Sequence, residues 1–132
     1  MQNLSVLGLG KLGSCTAACL ARAGYDVLGI DINERFVDKI NNGYAPVEEP
    51  YLQDTIVESK NNLRATTDPS LAIKETDISL LILPTPSKKD GNFDTSFLER
   101  ALKELAVELK ESKKDYHLFI ITSTVTPKSC DE

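Results

Sequence analysis

The feature that most constrains this chain is Gly8-Leu9-Gly10-Lys11-Leu12-Gly13, set between a strand-like run and a helix-like run. Alone, G-x-G-x-x-G carries little information. It gains meaning when it closes a strand and opens a helix. Here Leu4–Leu7 is a short apolar run closed by Gly8, and about Lys11–Ala23 is dense in Ala, Leu and Cys, stopped by Gly24. Each glycine has its own task. Gly8 permits the turn out of the strand, Gly10 lets backbone approach a pyrophosphate, and Gly13 lets helix and strand pack closely. A helix starting there points unpaired N–H groups and about half a positive charge at bound phosphate. Lys11 and Leu12 lie within this loop and belong to the same candidate site.

The alternation continues. Tyr25–Ile30 reads as a second strand, and Asn33 as the N-cap of a helix to about Asn41. Tyr44–Pro50 is a loop with two prolines, with Pro50 expected at the first position of a helix to about Lys60. Leu63–Thr66 is a third strand, and Asp68-Pro69 starts a short helix to about Glu75. Asp77–Leu83 is a near-continuous apolar run, the pattern of a strand buried on both faces. Pro84–Asn92 is a loop. Asp94 is expected to cap a long helix to about Lys113, with Phe97, Ala101, Leu105 and Leu109 on an apolar stripe. The Lys110–Lys114 stretch reads as its solvated end. His117–Thr122 is a fifth strand, broken at Thr126-Pro127. Strands alternating with helices predict an α/β, Rossmann-like, doubly wound parallel sheet, cut off after about five strands.

In such a sheet the acidic residue closing the second strand matters most after the glycines. Asp31 stands there, about 18 residues past Gly13. Its carboxylate can accept hydrogen bonds from adenosine ribose hydroxyls and would repel a 2′-phosphate, so the expected cofactor is NAD rather than NADP. Arg35, one helical turn on, could flank the adenine, or serve a 2′-phosphate if Asp31 turned away; a plain surface position is the competing reading. The glycine loop could also be a structural turn without cofactor, and Asp31 a cap.

Composition narrows the classes further. The 132 residues are 41% hydrophobic and 27% charged, with a net charge of −5. One soluble domain is expected, and an acidic balance disfavours nucleic acid as partner. No run approaches the roughly 20 apolar residues of a membrane span, and the N-terminus lacks a signal-peptide pattern. A cytoplasmic location and no membrane partner are therefore expected. Cys15, Cys19 and Cys130 lack metal or redox spacing and read as reduced, mostly buried thiols; with His117 the lone histidine, no metal site is expected.

Further pieces carry a resemblance. These are the Ala17–Gly24 helix end, Gly29-Ile30-Asp31-Ile32-Asn33, Ile40-Asn41-Asn42-Gly43, Glu49-Pro50 and Arg64-Ala65-Thr66-Thr67-Asp68. Pro84-Thr85-Pro86-Ser87, Asp90-Gly91-Asn92-Phe93-Asp94 and Ser123-Thr124-Val125 complete the series. In this order they resemble the N-terminal NAD-binding domain of the UDP-glucose/GDP-mannose dehydrogenase family, over Val6–Thr126. The resemblance implies oxidation of the C6 hydroxyl of a UDP-sugar, UDP-glucose or UDP-N-acetylhexosamine, to a carboxylate, with two NAD reduced. A family cysteine forms the thiohemiacetal and thioester on the way. Pro84, Thr85 and Pro86, and Ser123 and Thr124, just past strand ends, would face the cofactor. Thr85 matches a cofactor-contacting threonine. Thr124 matches the one near the nicotinamide that helps hold a water or reacting oxygen, and is the candidate catalytic residue.

The chain departs from the family pattern in places. Lys11-Leu12 stands for a common Tyr-Val, Thr122 for a charged residue, Glu48-Glu49-Pro50-Tyr51 for Tyr-Glu-Pro-Gly, and Lys128-Ser129 for Gly-Thr. The family's catalytic cysteine, lysine and asparagine match nothing here. Residues 1–132 are thus expected to be an incomplete N-terminal dinucleotide-binding domain, without the central helix and C-terminal substrate domain. Such a piece would bind NAD without catalysis, and its parent would be a homodimer or larger. The alternatives are a stand-alone NAD-sensing regulatory module, or a 3-hydroxyacid or 6-phosphogluconate type of dehydrogenase domain.

Overall fold

A computed structural model describes residues 3–131. Five parallel strands, β1 (Asn3–Leu7), β2 (Asp26–Ile30), β3 (Leu63–Thr66), β4 (Ile78–Leu81) and β5 (Leu118–Ile121), form one sheet in the order β3-β2-β1-β4-β5. The helices are α1 (Lys11–Arg22), α2 (Glu34–Asn41), α3 (Leu52–Ser59), α4 (Ser70–Glu75) and α5 (Ser96–Ser112). The Rossmann-like reading is borne out. The chain winds outward from β1 to β3, then crosses back to β4, so the order reverses between β1 and β4. At such a switch point the loops leaving neighbouring strands diverge and open a crevice beyond the carboxyl ends.

Strand alternation divides the core in two. Val6 and Val27 join Ala17, Ala18, Ala21 and Ile56 on the face covered by α1 and α3. Leu7, Leu28, Ile30 and Leu81 join Ile73, Leu98 and Leu105 under α4 and α5. Leu118 and Ile120 of β5 are each 39% exposed, because the first layer reaches no further than Leu80 of β4 and leaves their side of the edge strand open. The opposite edge, β3, is blunted by Asn41, whose amide exchanges two hydrogen bonds with the Ala65 backbone at 2.9 and 2.8 Å.

Several local expectations are corrected. Pro50 is not the first residue of α3. Tyr51 follows it in the left-handed region, φ 66°, and supplies the carbonyl that accepts from Thr55, so the helix starts at Leu52. Thr95, not Asp94, is the N-cap of α5; Asp94 acts one residue earlier, its Oδ1 accepting from the Ser96 N–H at 2.9 Å. Cys19 is exposed and Cys15 half-buried, because Gly13, Ser14, Ala17, Ala18 and Ala21 form the buried face of α1. Lys114 is not merely solvated: its Nζ donates to the carbonyls of Ile73 and Thr76, capping the end of α4, and pairs with Asp77 at 3.0 Å. Among the described residues, no helix is long and apolar enough to cross a membrane.

Candidate functional site

The carboxyl ends of β1, β2 and β4 open onto a cleft of about 760 Å³. Its floor is the glycine loop. Gly8 has φ +101°, and an added Cβ would run into the Ile82 carbonyl of the next strand exit. At Gly13 an added Cβ would fall inside van der Waals contact of the Gly8 carbonyl oxygen, so α1 can lie this close to β1 with no side chain between. A Cβ at Gly10 would meet nothing within 4 Å. The backbone of that turn is therefore open on the side where a ligand approaches.

The first intrahelical bond of α1 runs from the Ser14 N–H to the Gly10 carbonyl at 2.9 Å. The N–H groups of Lys11, Leu12 and Gly13 precede it and stay outside the helical ladder. They form the anion-accepting end of the helix. Opposite, Asp31 closes β2. Its Oδ2 accepts the Leu9 N–H at 2.8 Å and its Oδ1 the Asn33 N–H at 2.9 Å. The carboxylate thereby holds the glycine loop in place, while each oxygen keeps a further lone pair for a hydroxyl donor. An acceptor at the end of β2, open backbone at Gly10 and unpaired amides at the start of α1 fit the ribose and pyrophosphate of NAD.

Of the residues singled out from sequence, Gly8, Gly10, Lys11, Leu12, Gly13, Asp31 and Pro84 line this cleft. The others stand elsewhere. Arg35 is exposed on α2, where its backbone N–H bonds the Asn33 cap at 3.0 Å, while Phe36 turns to the cleft instead. Thr85 is half-buried and Pro86 exposed, past the part of the loop that forms the wall. Thr124 is exposed beyond β5 and outside the lining. The Ser123 hydroxyl is used within the fold: it accepts the Leu83 N–H and donates to the Leu83 carbonyl, both at 2.9 Å.

The sequence reading missed the far wall. Ile32 and Phe36 come from the β2 exit, Thr67 and Pro69 from the β3 exit, and Phe97, Arg100 and Glu104 from α5. Ile32 is 91% exposed and Phe97 46%. An apolar residue directly after the strand-ending Asp was the available signal. For Phe97 there was a weaker one, its place in the first turn of the helix that follows β4. No group of three or more His, Cys, Asp or Glu residues able to hold a metal occurs among the described residues.

Comparison with known proteins agrees with this geometry. The UDP-glucose/GDP-mannose dehydrogenase family, NAD binding domain, matches residues 2–132. GDP-mannose 6-dehydrogenase of Pseudomonas savastanoi pv. phaseolicola is 39% identical over 127 residues, 95% of this chain and 29% of that protein. UDP-glucose 6-dehydrogenase AglM of Haloferax volcanii is 41% identical over 128 residues, 96% of this chain and 29% of that protein. Among solved structures, a ternary complex of GDP-mannose dehydrogenase from Pseudomonas aeruginosa superposes with a TM-score of 0.93 at 33% identity, covering 100% of this chain and 30% of the other. The chain thus spans under a third of the length of these relatives. A match along its whole described length, with a glycine loop and acidic strand end whose geometry fits NAD, assigns it to the UDP-glucose/GDP-mannose dehydrogenase family, as an NAD-binding domain.

Proposed function

We propose that this chain holds NAD in an oxidoreductase that converts the C6 hydroxyl of a nucleotide sugar to a carboxylate, two NAD being reduced per turnover. The observation that supports it is the switch-point cleft, with the free amides of α1 on one side and the Asp31 carboxylate on the other. When bound, NAD supplies the hydride acceptor. The residues here bind and orient it: the α1 amides take the pyrophosphate, Asp31 takes the adenosine ribose, and Ile32, Phe36 and Phe97 offer apolar surface to the adenine. Asp31 also sets the choice of NAD over NADP.

The sugar expected from the sequence is a UDP-sugar. Relatives named for GDP-mannose and for UDP-glucose match about equally well, so the matched residues do not separate the bases, and the proposal covers nucleoside diphosphate sugars. Thr124, past the end of β5, is proposed to hold a water or reacting oxygen. The parent is proposed to be a homodimer or larger. This chain alone is proposed to bind NAD without oxidising a sugar, since Cys15, Cys19 and Cys130 all lie outside the cleft lining.

The test is a titration of this chain with NAD and NADP, followed by incubation with UDP-glucose and with GDP-mannose. Tighter binding of NAD and no NADH are expected. Stronger binding of NADP would overturn the role of Asp31. NADH formed from either sugar would overturn the proposed inactivity.

A further inference from the structure

We propose that Glu49 competes with cofactor phosphate for the ammonium of Lys11, and so sets the affinity of the dinucleotide cleft. The inference rests on the reading that this cleft takes a dinucleotide. Lys11 is the first residue of α1 and lines the cleft. Its Nζ lies 3.0 Å from the Glu49 Oε1, with the lysine side chain 75% exposed and the glutamate 27%. Glu49 comes from the segment between α2 and α3, where it lines a second cavity of about 550 Å³ together with Pro46, Val47 and Gln53. The ion pair therefore stands where the two cavities adjoin.

Electrostatics gives the pair its meaning. A cation at the first position of a helix faces the positive end of the helix dipole, the unfavourable end for it. A carboxylate beside it offsets both that charge and the dipole. A dinucleotide pyrophosphate at the same helix end brings negative charge to the same place. It draws on the ammonium that Glu49 already holds, so the two anions compete for one cation, and it meets the Glu49 carboxylate as a like charge. Glu49 is thus a built-in competitor whose cost is subtracted from cofactor affinity. The segment that carries it is well held without the pair: Gln53 accepts from the Ala45 N–H at 2.8 Å and donates to the Gly43 carbonyl at 2.9 Å. Glu49 can therefore let go of Lys11 without unravelling its loop.

The test is calorimetric titration with NAD of the wild-type chain, Glu49→Gln, Lys11→Met and the double variant, at low and at high salt. Partly exposed ion pairs contribute little, so Glu49→Gln is expected to tighten NAD about threefold at low salt. Lys11→Met is expected to weaken it, and in that background Glu49→Gln should add little. At about 1 M salt, where screening acts over ~3 Å, the gain should vanish, which a purely structural effect of the substitution would not do. Should Glu49→Gln fold poorly, Lys11→Met, at an exposed position, tests the same pairing by its loss of affinity and of salt sensitivity. Unchanged or weaker binding by Glu49→Gln, or a gain that persists with Lys11→Met or in high salt, would overturn the proposal and leave the cofactor reading standing. Failure of all four proteins to bind NAD would overturn both.

Discussion

The Asp31 carboxylate anchors the glycine loop and is proposed to take the adenosine ribose, and substitution can separate the two roles. In Asp31→Ala both backbone bonds go. The Leu9 N–H, at 2.8 Å in the wild type, belongs to a residue with 0% exposure, so water replaces the lost acceptor poorly. The Asn33 N–H is exposed and rehydrates. A hydrogen bond to a charged group contributes about 1.5–3 kcal/mol, and the exposed one far less, so Asp31→Ala should cost roughly 2 kcal/mol. For a chain of this size that is a fall of about 5–10 °C in Tm. Asp31→Asn keeps one acceptor oxygen. Turned toward Leu9 it preserves the buried bond, and the cost drops to about 1 kcal/mol or less. The binding effects follow the charge rather than the shape. Both variants lose the charged acceptor for the ribose hydroxyls, and NAD should bind about tenfold more weakly, a loss of about 1.4 kcal/mol. On the proposed reading the carboxylate repels the 2′-phosphate of NADP, so NADP should lose much less and the expected preference for NAD should narrow in both. Thermal melts report the first effect and parallel titrations with NAD and NADP the second. An Asp31→Ala protein that melts like wild type would refute the anchoring of the glycine loop. An undiminished NAD preference in Asp31→Asn would refute the discrimination argument.

Gly13→Ala forces a methyl group against the Gly8 carbonyl oxygen, and should cost about 1–3 kcal/mol in denaturant titrations while weakening NAD binding. Tyr51 is 83% exposed at φ 66°, so Tyr51→Gly relieves a left-handed backbone penalty of roughly 1–2 kcal/mol against a glycine entropy cost of roughly 0.5–1 kcal/mol. A small gain in Cm is expected, and a loss would contradict the strain argument. Burial, then the neighbouring Lys114 charge, holds the His117 imidazole below its ordinary value of 6.5, so the unfolded chain takes up the proton first. This contribution to stability is present above pH 6.5 and is lost as pH falls below it; denaturation at pH 7.5 and 5.5 should show the drop, and His117→Gln should flatten it. Ser123→Ala removes the acceptor of the Leu83 N–H and should cost about 1 kcal/mol and speed amide exchange at Leu83; unchanged exchange there would contradict its tethering role.

How much was legible depended on the range of the physics. The glycine loop and Asp31 are legible because their main signal is a local pattern: a strand ends, a helix starts, and backbone must pass without a Cβ; the Ile82 carbonyl beside Gly8 and the Asp31–Leu9 bond are the non-local part. The start of α3 departs from the sequence expectation because a proline suits the first turn of a helix, and no propensity argument places Tyr51 in the left-handed region. The family pattern that the sequence resembles has glycine at this position, so the departure Tyr51-for-Gly holds the signal. Ser123 was read as a cofactor contact from its place past a strand end. Its hydroxyl bonds the backbone of Leu83, a residue 40 positions away, a pairing that exists only once β4 and β5 lie side by side and that the sequence did not show.

The apolar stripe of α5 shows the same limit from the packing side. Periodicity grouped Phe97, Ala101, Leu105 and Leu109, yet Leu98 and Leu105 are the buried residues and Phe97 lines the cleft. A stripe fixes which face of a helix is apolar; it does not fix where the sheet beneath it ends. That is decided by β4, which stops at Leu81, and by what holds β4 in place. At the amino-terminal half of the sheet the Ser5 and Ser79 hydroxyls meet at 2.6 Å, and Ser79 meets the His117 Nε2 at 2.7 Å, so side chains link β1, β4 and the start of β5 across their ladder. The corresponding links at the carboxyl end come from Ser123 and from Thr122, whose hydroxyl donates to the Leu81 carbonyl at 2.9 Å. The first turn of α5 follows the β4 exit and lies beside the cleft at the carboxyl ends of the strands. Phe97, apolar by the same periodicity that buries Leu105, is left facing a ligand-sized cleft rather than the core.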